Sequence, residues 1–146
     1  MKKLLLICLA LTIVVIASWP VTSQAQDGYV VIVNSANPAS SVSRDLVSDF
    51  LLKKKGKWED GTSASPADLD GQSQVRAAMS RAIHGRSVAS IKNYWQRQIF
   101  SGRNVPPPEL QNDAQMIAHV ANSRGAIGYV SPGASLDGVK KIAIVD

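Results

Sequence analysis

The chain has 146 residues, with 16 Lys and Arg against 11 Asp and Glu, a formal charge of +5 and one cysteine, Cys8. A single cysteine excludes an intramolecular disulfide framework. So mild and dispersed a positive balance argues against a nucleic-acid partner, which would call for a dense basic face.

The N-terminus reads as a cleavable secretory signal peptide over residues 1–25. Lys2 and Lys3 open it, an apolar run of 14 residues follows from Leu4 to Ala17, and Ser23-Gln24-Ala25 offers small residues at the −3 and −1 positions. A bilayer-spanning helix needs about 20 apolar residues, so the run is short for an anchor. The expected outcome is a periplasmic protein without stable membrane insertion after cleavage. Its single domain, residues 26–146, holds 121 residues, carries a net charge of +3 and has lost the only thiol. A chain of that size buries close to two thirds of its unfolded surface and needs no metal or disulfide to fold.

Residues 29–33 (YVVIV) form a continuous β-branched run, the pattern of a buried central strand in a mixed or parallel sheet. Residues 34–39 (NSANPA) then make a loop. Ser40, Ser41 or Ser43 caps a first helix running to about Lys53, with Val42, Leu46, Val47, Phe50 and Leu51 on one face. The cluster Lys53-Lys54-Lys55-Gly56-Lys57 reads as its solvated end. After a turn-rich stretch, a second helix spans about residues 74–84, with Val75, Ala78, Met79, Ala82 and Ile83 inward and Gly85 as C′ residue. Ser87 caps a third helix, about 88–100, whose apolar side is Ile91, Tyr94, Trp95 and Ile99. Pro106-Pro107-Pro108 is a stiff connector. A fourth helix starts at Asn112 or Asp113 and stops at Gly125, and residues 126–131 and 139–145 are the last strands. The order β, α, α, α, α, β, β predicts an α/β fold in which helices cover a small mixed sheet.

No catalytic pattern emerges, and no enzyme activity is expected. His84 and His119 have no second ligand at helical spacing, so no metal site is indicated. No serine lies in a Gly-x-Ser-x-Gly elbow, and residues 125–128 lack the Lys-Ser/Thr pair of a phosphate loop. No cofactor is implied. What remains is a set of polar residues at helix starts: Asn34, Ser35, Ser40, Ser41, Gln72, Ser73 and Asn112. A helix N-terminus presents unpaired N–H groups and a partial positive charge, and two converging starts would hold an oxyanion. Alternatively, each residue simply caps its own helix.

The segment MIAHVANSRGAIGYV, residues 116–130, resembles the helix–strand segment of phosphate-binding proteins of the ABC-type phosphate importer. Val120, Gly125, Ala126, Ile127, Gly128, Tyr129 and Val130 carry the likeness. Phe50-Leu51-Leu52-Lys53 followed by Lys57-Trp58-Glu59-Asp60-Gly61 is similar to that family's F-L-x-K … W-x-D stretch. Asp70-Gly71-Gln72-Ser73 stands in the place of its Asp-Gly-Ser-Gly-Thr loop, with Gln72 and Gln74 where glycine and a hydroxyl residue are the family pattern. Tyr94-Trp95 with Phe100-Ser101-Gly102 is similar to short exported proteins of the same group. The resemblance implies a reduced type II periplasmic binding-protein fold, where full-length members have two lobes. It also implies phosphate as ligand and an ABC permease as partner.

Asn34 and Ser35 in the first βα loop and Ser73 at the second helix start are the expected ligand-binding residues, with Arg76 supplying charge from a solvent-facing position. The alternative is a periplasmic interaction protein that keeps the fold without a working ligand site.

Overall fold

The structure, a computed structural model, describes residues 28–146; the signal-peptide reading of residues 1–25 lies outside the described residues. Strand β1 (Val30–Asn34) is the apolar run expected to be central, and Val31, Ile32 and Val33 are buried. It lies between β6 (Ala126–Val130) and β7 (Val139–Lys141), antiparallel to both. β3 (Ser65–Pro66) adds to the far side of β6 in parallel, giving a mixed sheet in the order β3-β6-β1-β7. Two short parallel pairs flank it: β2 (Ser41–Ser43) with β8 (Ala143–Val145), and β4 (Asp68–Leu69) with β5 (Glu109–Leu110).

Helices α1 (Arg44–Leu51), α3 (Val88–Phe100) and α4 (Asp113–Ala121) begin at side-chain caps: Ser43, Ser87 and Asn112 each accept an N–H from the first turn. α2 (Gln74–Met79) is capped by Ser73 and runs directly into a π-helical turn, Ser80–His84, which Gly85 closes at φ 63°. The fold is the mixed α/β arrangement read from the sequence, with one core built on β1, β6, α1 and α4.

Four local expectations change. Residues 139–145 are two strands, because buried Ile142 donates its N–H to Val31 O (3.1 Å) and turns β8 away to pair with β2. α1 stops at Leu51, and Lys53 takes a positive φ of 52°. The buried face of the second helix is Arg76, Met79, Ser80 and Ile83, one position round from the expected stripe, and Ala82 is exposed. The rotation follows from Arg76, whose carboxylate partners lie on the core side. Ile99, expected inward on α3, is exposed, because the last turn of that helix runs past its cover.

Candidate functional site

Strand register divides the expected ligands. β1 and β6 pair Val30 with Val130 and Val33 with Ile127, so the C-terminal end of β1 meets the start of β6. β3 runs parallel to β6, and the chain leaving it brings Asp68 to Tyr129, at the end of the sheet where β1 begins. Asn34 and Ser35 therefore stand at one end of the sheet. Ser73 and Arg76 stand together at the other.

At the Asn34 end the buried polar side chains are neutral and engaged. Asn34 Nδ2 donates to Val120 O and Ala121 O, both at 2.9 Å, and its Oδ1 accepts the Ala36 N–H. One amide thus satisfies orphan carbonyls at the end of α4 and folds the loop after β1. Ser35 is exposed and touches Gly138 O only through its backbone N–H. Next to them, Gly125 O receives Trp58 Nε1 (2.9 Å) and the Ser65 N–H (3.0 Å), and a Cβ on Gly125 would run into Ser63 O. Gly128 leaves room for Met116 to lie on the sheet. Two of the stretches that carry the family resemblance, residues 50–61 and 116–130, are in contact: Trp58, packed on Phe50 with ring centroids 4.7 Å apart, donates to Gly125 O, and Asp60 reaches Arg124 at 3.3 Å.

At the other end the groups are ionic. Arg76 is buried, not solvent-facing as expected. Its Nη1 donates to Leu69 O and Glu109 Oε1, both at 2.7 Å, and Nη2 lies 3.1 Å from Asp68 Oδ2. Tyr129 Oη donates to Asp68 and accepts the Leu69 N–H. Burial raises the Asp68 carboxyl pKa, against the pull of Arg76. Burial, followed by the Asp68 charge, raises the Tyr129 hydroxyl. For Arg76, burial favours the neutral form, but Asp68 and Glu109 outweigh it and raise the guanidinium pKa. The proline run joins this end as an acceptor: Pro108 has no N–H, yet its carbonyl takes the Asp68 N–H at 2.9 Å.

Above this ionic floor the chain turns through residues 70–73. Asp70 Oδ1 accepts the Gln72 N–H (2.8 Å), and Asp70 O accepts the Ser73 N–H (3.0 Å). Ser73 Oγ then caps α2 by taking the Arg76 N–H at 3.2 Å. The turn opens onto a cleft of about 310 Å³, walled by residues 71–74 and by Ser87, Val88 and Ala89 at the start of α3, with Arg81 from the π-helical turn. Lys92 extends from α3 so that its Nζ lies over Gly71. Two helix starts do converge on one pocket, but they belong to α2 and α3, whereas the expected pairing used the loop after β1. A larger cleft of about 770 Å³ runs along β7 and β8 and contains none of the expected ligands.

Asp68, Glu109, the cleft residues Arg81 and Ser87, and Lys92 beside Gly71 were not singled out from sequence as site residues. Arg81 sits five residues past Arg76 on the same helical segment, and that is the one sequence signal pointing towards it.

By sequence, no protein-family model and no curated protein matches the chain. Solved structures do match by fold. An ABC-type phosphate transport receptor from Vibrio cholerae superposes with a TM-score of 0.64 at 18% identity, over 82% of this chain and 48% of that one. A Clostridium perfringens protein assigned as a phosphate ABC transporter substrate-binding protein, with bound phosphate, gives 0.63 at 16% identity, over 81% and 45%. A possible phosphate binding protein from Planctomyces limnophilus gives 0.61 at 19%, over 82% and 42%. The chain spans about half the length of these structures. It has the type II periplasmic binding-protein-like fold of phosphate ABC transporter substrate-binding proteins.

Proposed function

We propose that the chain is an exported, periplasmic solute-binding-type protein that takes a small oxyanion, phosphate first, in the cleft between the starts of α2 and α3, and that it serves an ABC-type permease. The observation that carries this reading is that cleft, set at the Asp70–Ser73 turn of a fold shared with a phosphate-carrying protein.

In this reading the chemistry is binding, with no catalytic step. Ser73, Ser87 and the first N–H groups of the two helices supply neutral donors, while Arg81 and Lys92 supply charge. A helix dipole contributes about 0.3–1 kcal/mol at an exposed end, too little to hold phosphate unaided. Charge-assisted hydrogen bonds add about 1.5–3 kcal/mol each. Arg76 acts from below: with its donors held by Leu69, Glu109 and Asp68, it fixes the turn that presents Ser73. Asn34 and Ser35 are not among the proposed ligands, since they stand at the far end of the sheet.

Calorimetric titration with phosphate and sulfate tests the reading. The wild-type protein is expected to bind phosphate at millimolar concentration or below, and Arg81→Ala to weaken it at least about tenfold, the equivalent of 1.4 kcal/mol. No uptake of either anion at millimolar concentration defeats the proposal. One observation favours a second reading, an interaction protein that keeps the fold without a ligand site: the side-chain donors of Asn34 and Arg76 are directed to internal partners.

A further inference from the structure

Three of the large apolar side chains exposed among the described residues fall within seven positions: Ile99 (51% exposed), Phe100 (92%) and Val105 (59%). Their exposure has a structural cause. α3 packs through Ile91, Tyr94 and Trp95 onto Leu52, a small cluster separate from the main core. Ile99 comes one turn after Trp95, where nothing further covers the helix. Ser101 caps it, Gly102 turns the chain at φ 65°, and Val105 follows just before the stiff proline run. The apolar tip is therefore held out by a formed helix end, not by a loose loop.

Positive charge flanks the same tip. Tyr94 Oη donates to Leu52 O (3.3 Å), and Asn104 Nδ2 donates to Lys53 O (3.2 Å). These bonds fasten Leu52 and Lys53, where the lysine-rich loop begins, to α3 and to the residues that follow it. Residues 53–57 and 97–105 together hold Lys53, Lys54, Lys55, Lys57, Arg97 and Arg103 and no acidic residue. Arg97 and Arg103 flank the apolar residues along the chain, and Lys53 is held beside them through Asn104. The acid seen to answer any of them is Asp49, 3.6 Å from Lys55.

We propose that this tip seats the protein on an anionic lipid surface, with Phe100 entering the interface between headgroups and acyl chains and Lys53, Arg97 and Arg103 lying against the headgroups. A projecting aromatic fits a deformable apolar layer, and flexible cations on either side of it fit a plane of negative charge. The long Lys and Arg stems keep their charges at the surface as the ring goes in. An acidic protein would complement the charge, but it would also need a pocket matched to Phe100; a bilayer needs none. The proposal does not depend on the oxyanion site, which lies at the opposite, N-terminal end of α3.

Co-sedimentation with vesicles is the test, using phosphatidylcholine alone and phosphatidylcholine with phosphatidylglycerol. Binding is expected only to the anionic vesicles, and raising the salt to about 0.5 M should release it, because the Debye length then falls to a few ångströms. Phe100→Ser should lower partitioning at least about tenfold while leaving the melting temperature unchanged, as the ring is almost wholly exposed. Arg97→Gln combined with Arg103→Gln should weaken binding and flatten its salt dependence. The proposal is overturned if anionic vesicles take up no protein, or if Phe100→Ser binds as well as wild type. It is equally overturned if the protein binds soluble polyglutamate and ignores vesicles.

Discussion

The two ends of the central sheet hold their polar groups in opposite ways. At the end where β1 finishes, the buried side chains are neutral, the Asn34 amide and the Trp58 indole, and they bond the carbonyls of Val120, Ala121 and Gly125; the charges there, Lys140 on Asn37 O and Arg124 on Asp60, are half-buried or exposed. At the end where β1 begins, the partners are Arg76, Asp68, Glu109 and the Tyr129 hydroxyl. A neutral hydrogen bond contributes about 0.5–1.5 kcal/mol net, and removing one partner costs about 1–3 kcal/mol for the buried group left unsatisfied. A buried ion pair is near neutral against an apolar replacement of both partners, but costs far more when one is removed. The neutral end should therefore fail by sterics and lost caps, and the ionic end by stranded charge. The open cleft stands at the ionic end, where a fixed turn and nearby cations are already in place.

Gly125→Ala is the severest test of the neutral end. Its Cβ would enter the Ser63 carbonyl, and backbone cannot step aside as a side-chain tip can. No folded protein is expected from it, whereas Gly56→Ala, which meets nothing, should melt like wild type. A folded Gly125→Ala variant with an unchanged melting temperature would show that β3 need not approach β6 so closely.

Arg76→Ala comes next. It leaves Asp68 buried and unpaired, and urea unfolding should show a loss of about 3–5 kcal/mol. If stranded charge is the cause, Arg76→Met with Asp68→Asn should recover much of that loss. If the double variant is no better than Arg76→Ala, the two ends do not differ in the way argued. Asn34→Ala should cost less, about 1–3 kcal/mol for the unsatisfied carbonyls at the end of α4, and its effect should be insensitive to salt.

Long periodic elements were legible in the sequence. β1 and β6 are apolar runs, and α3 and α4 carry recognisable caps and stripes. β3, β4 and β5 were missed because two residues have no period to read. Arg76 was misplaced for a different reason. An arginine turns inward only when acids meet it there, and Asp68 and Glu109 come from separate segments that no local window joins. The resemblance located the loop of residues 70–73 by motif. Which second helix start would join it was a matter of topology: the cleft needs α3, and α3 reaches it only because the π-helical turn and Gly85 swing the chain round.

A pH dependence reports how far the ionic end reaches. His84 closes the π-helical turn, with Nδ1 hydrogen-bonded to Ser48 Oγ at 2.8 Å. Burial, and then the charges of Arg76, Arg86 and Lys54, push its pKa down to about 4. An unfolded histidine titrates near 6.5. Between those values the unfolded chain takes up a proton that the folded chain refuses, so the His84 contribution is complete above about pH 6.5 and is lost as pH falls towards 4. Asp68 works in the other direction: its raised carboxyl binds a proton more readily in the folded state, which favours folding as pH drops. The acid limb of the wild type is the difference of the two, so His84 must be isolated by substitution. His84→Asn keeps a partner for Ser48 and removes the titration. Relative to that variant, the wild type should lose at most about 3 kcal/mol between pH 6.5 and 4. Equal slopes would mean that His84 is open to solvent and that the field of Arg76 stops short of the turn.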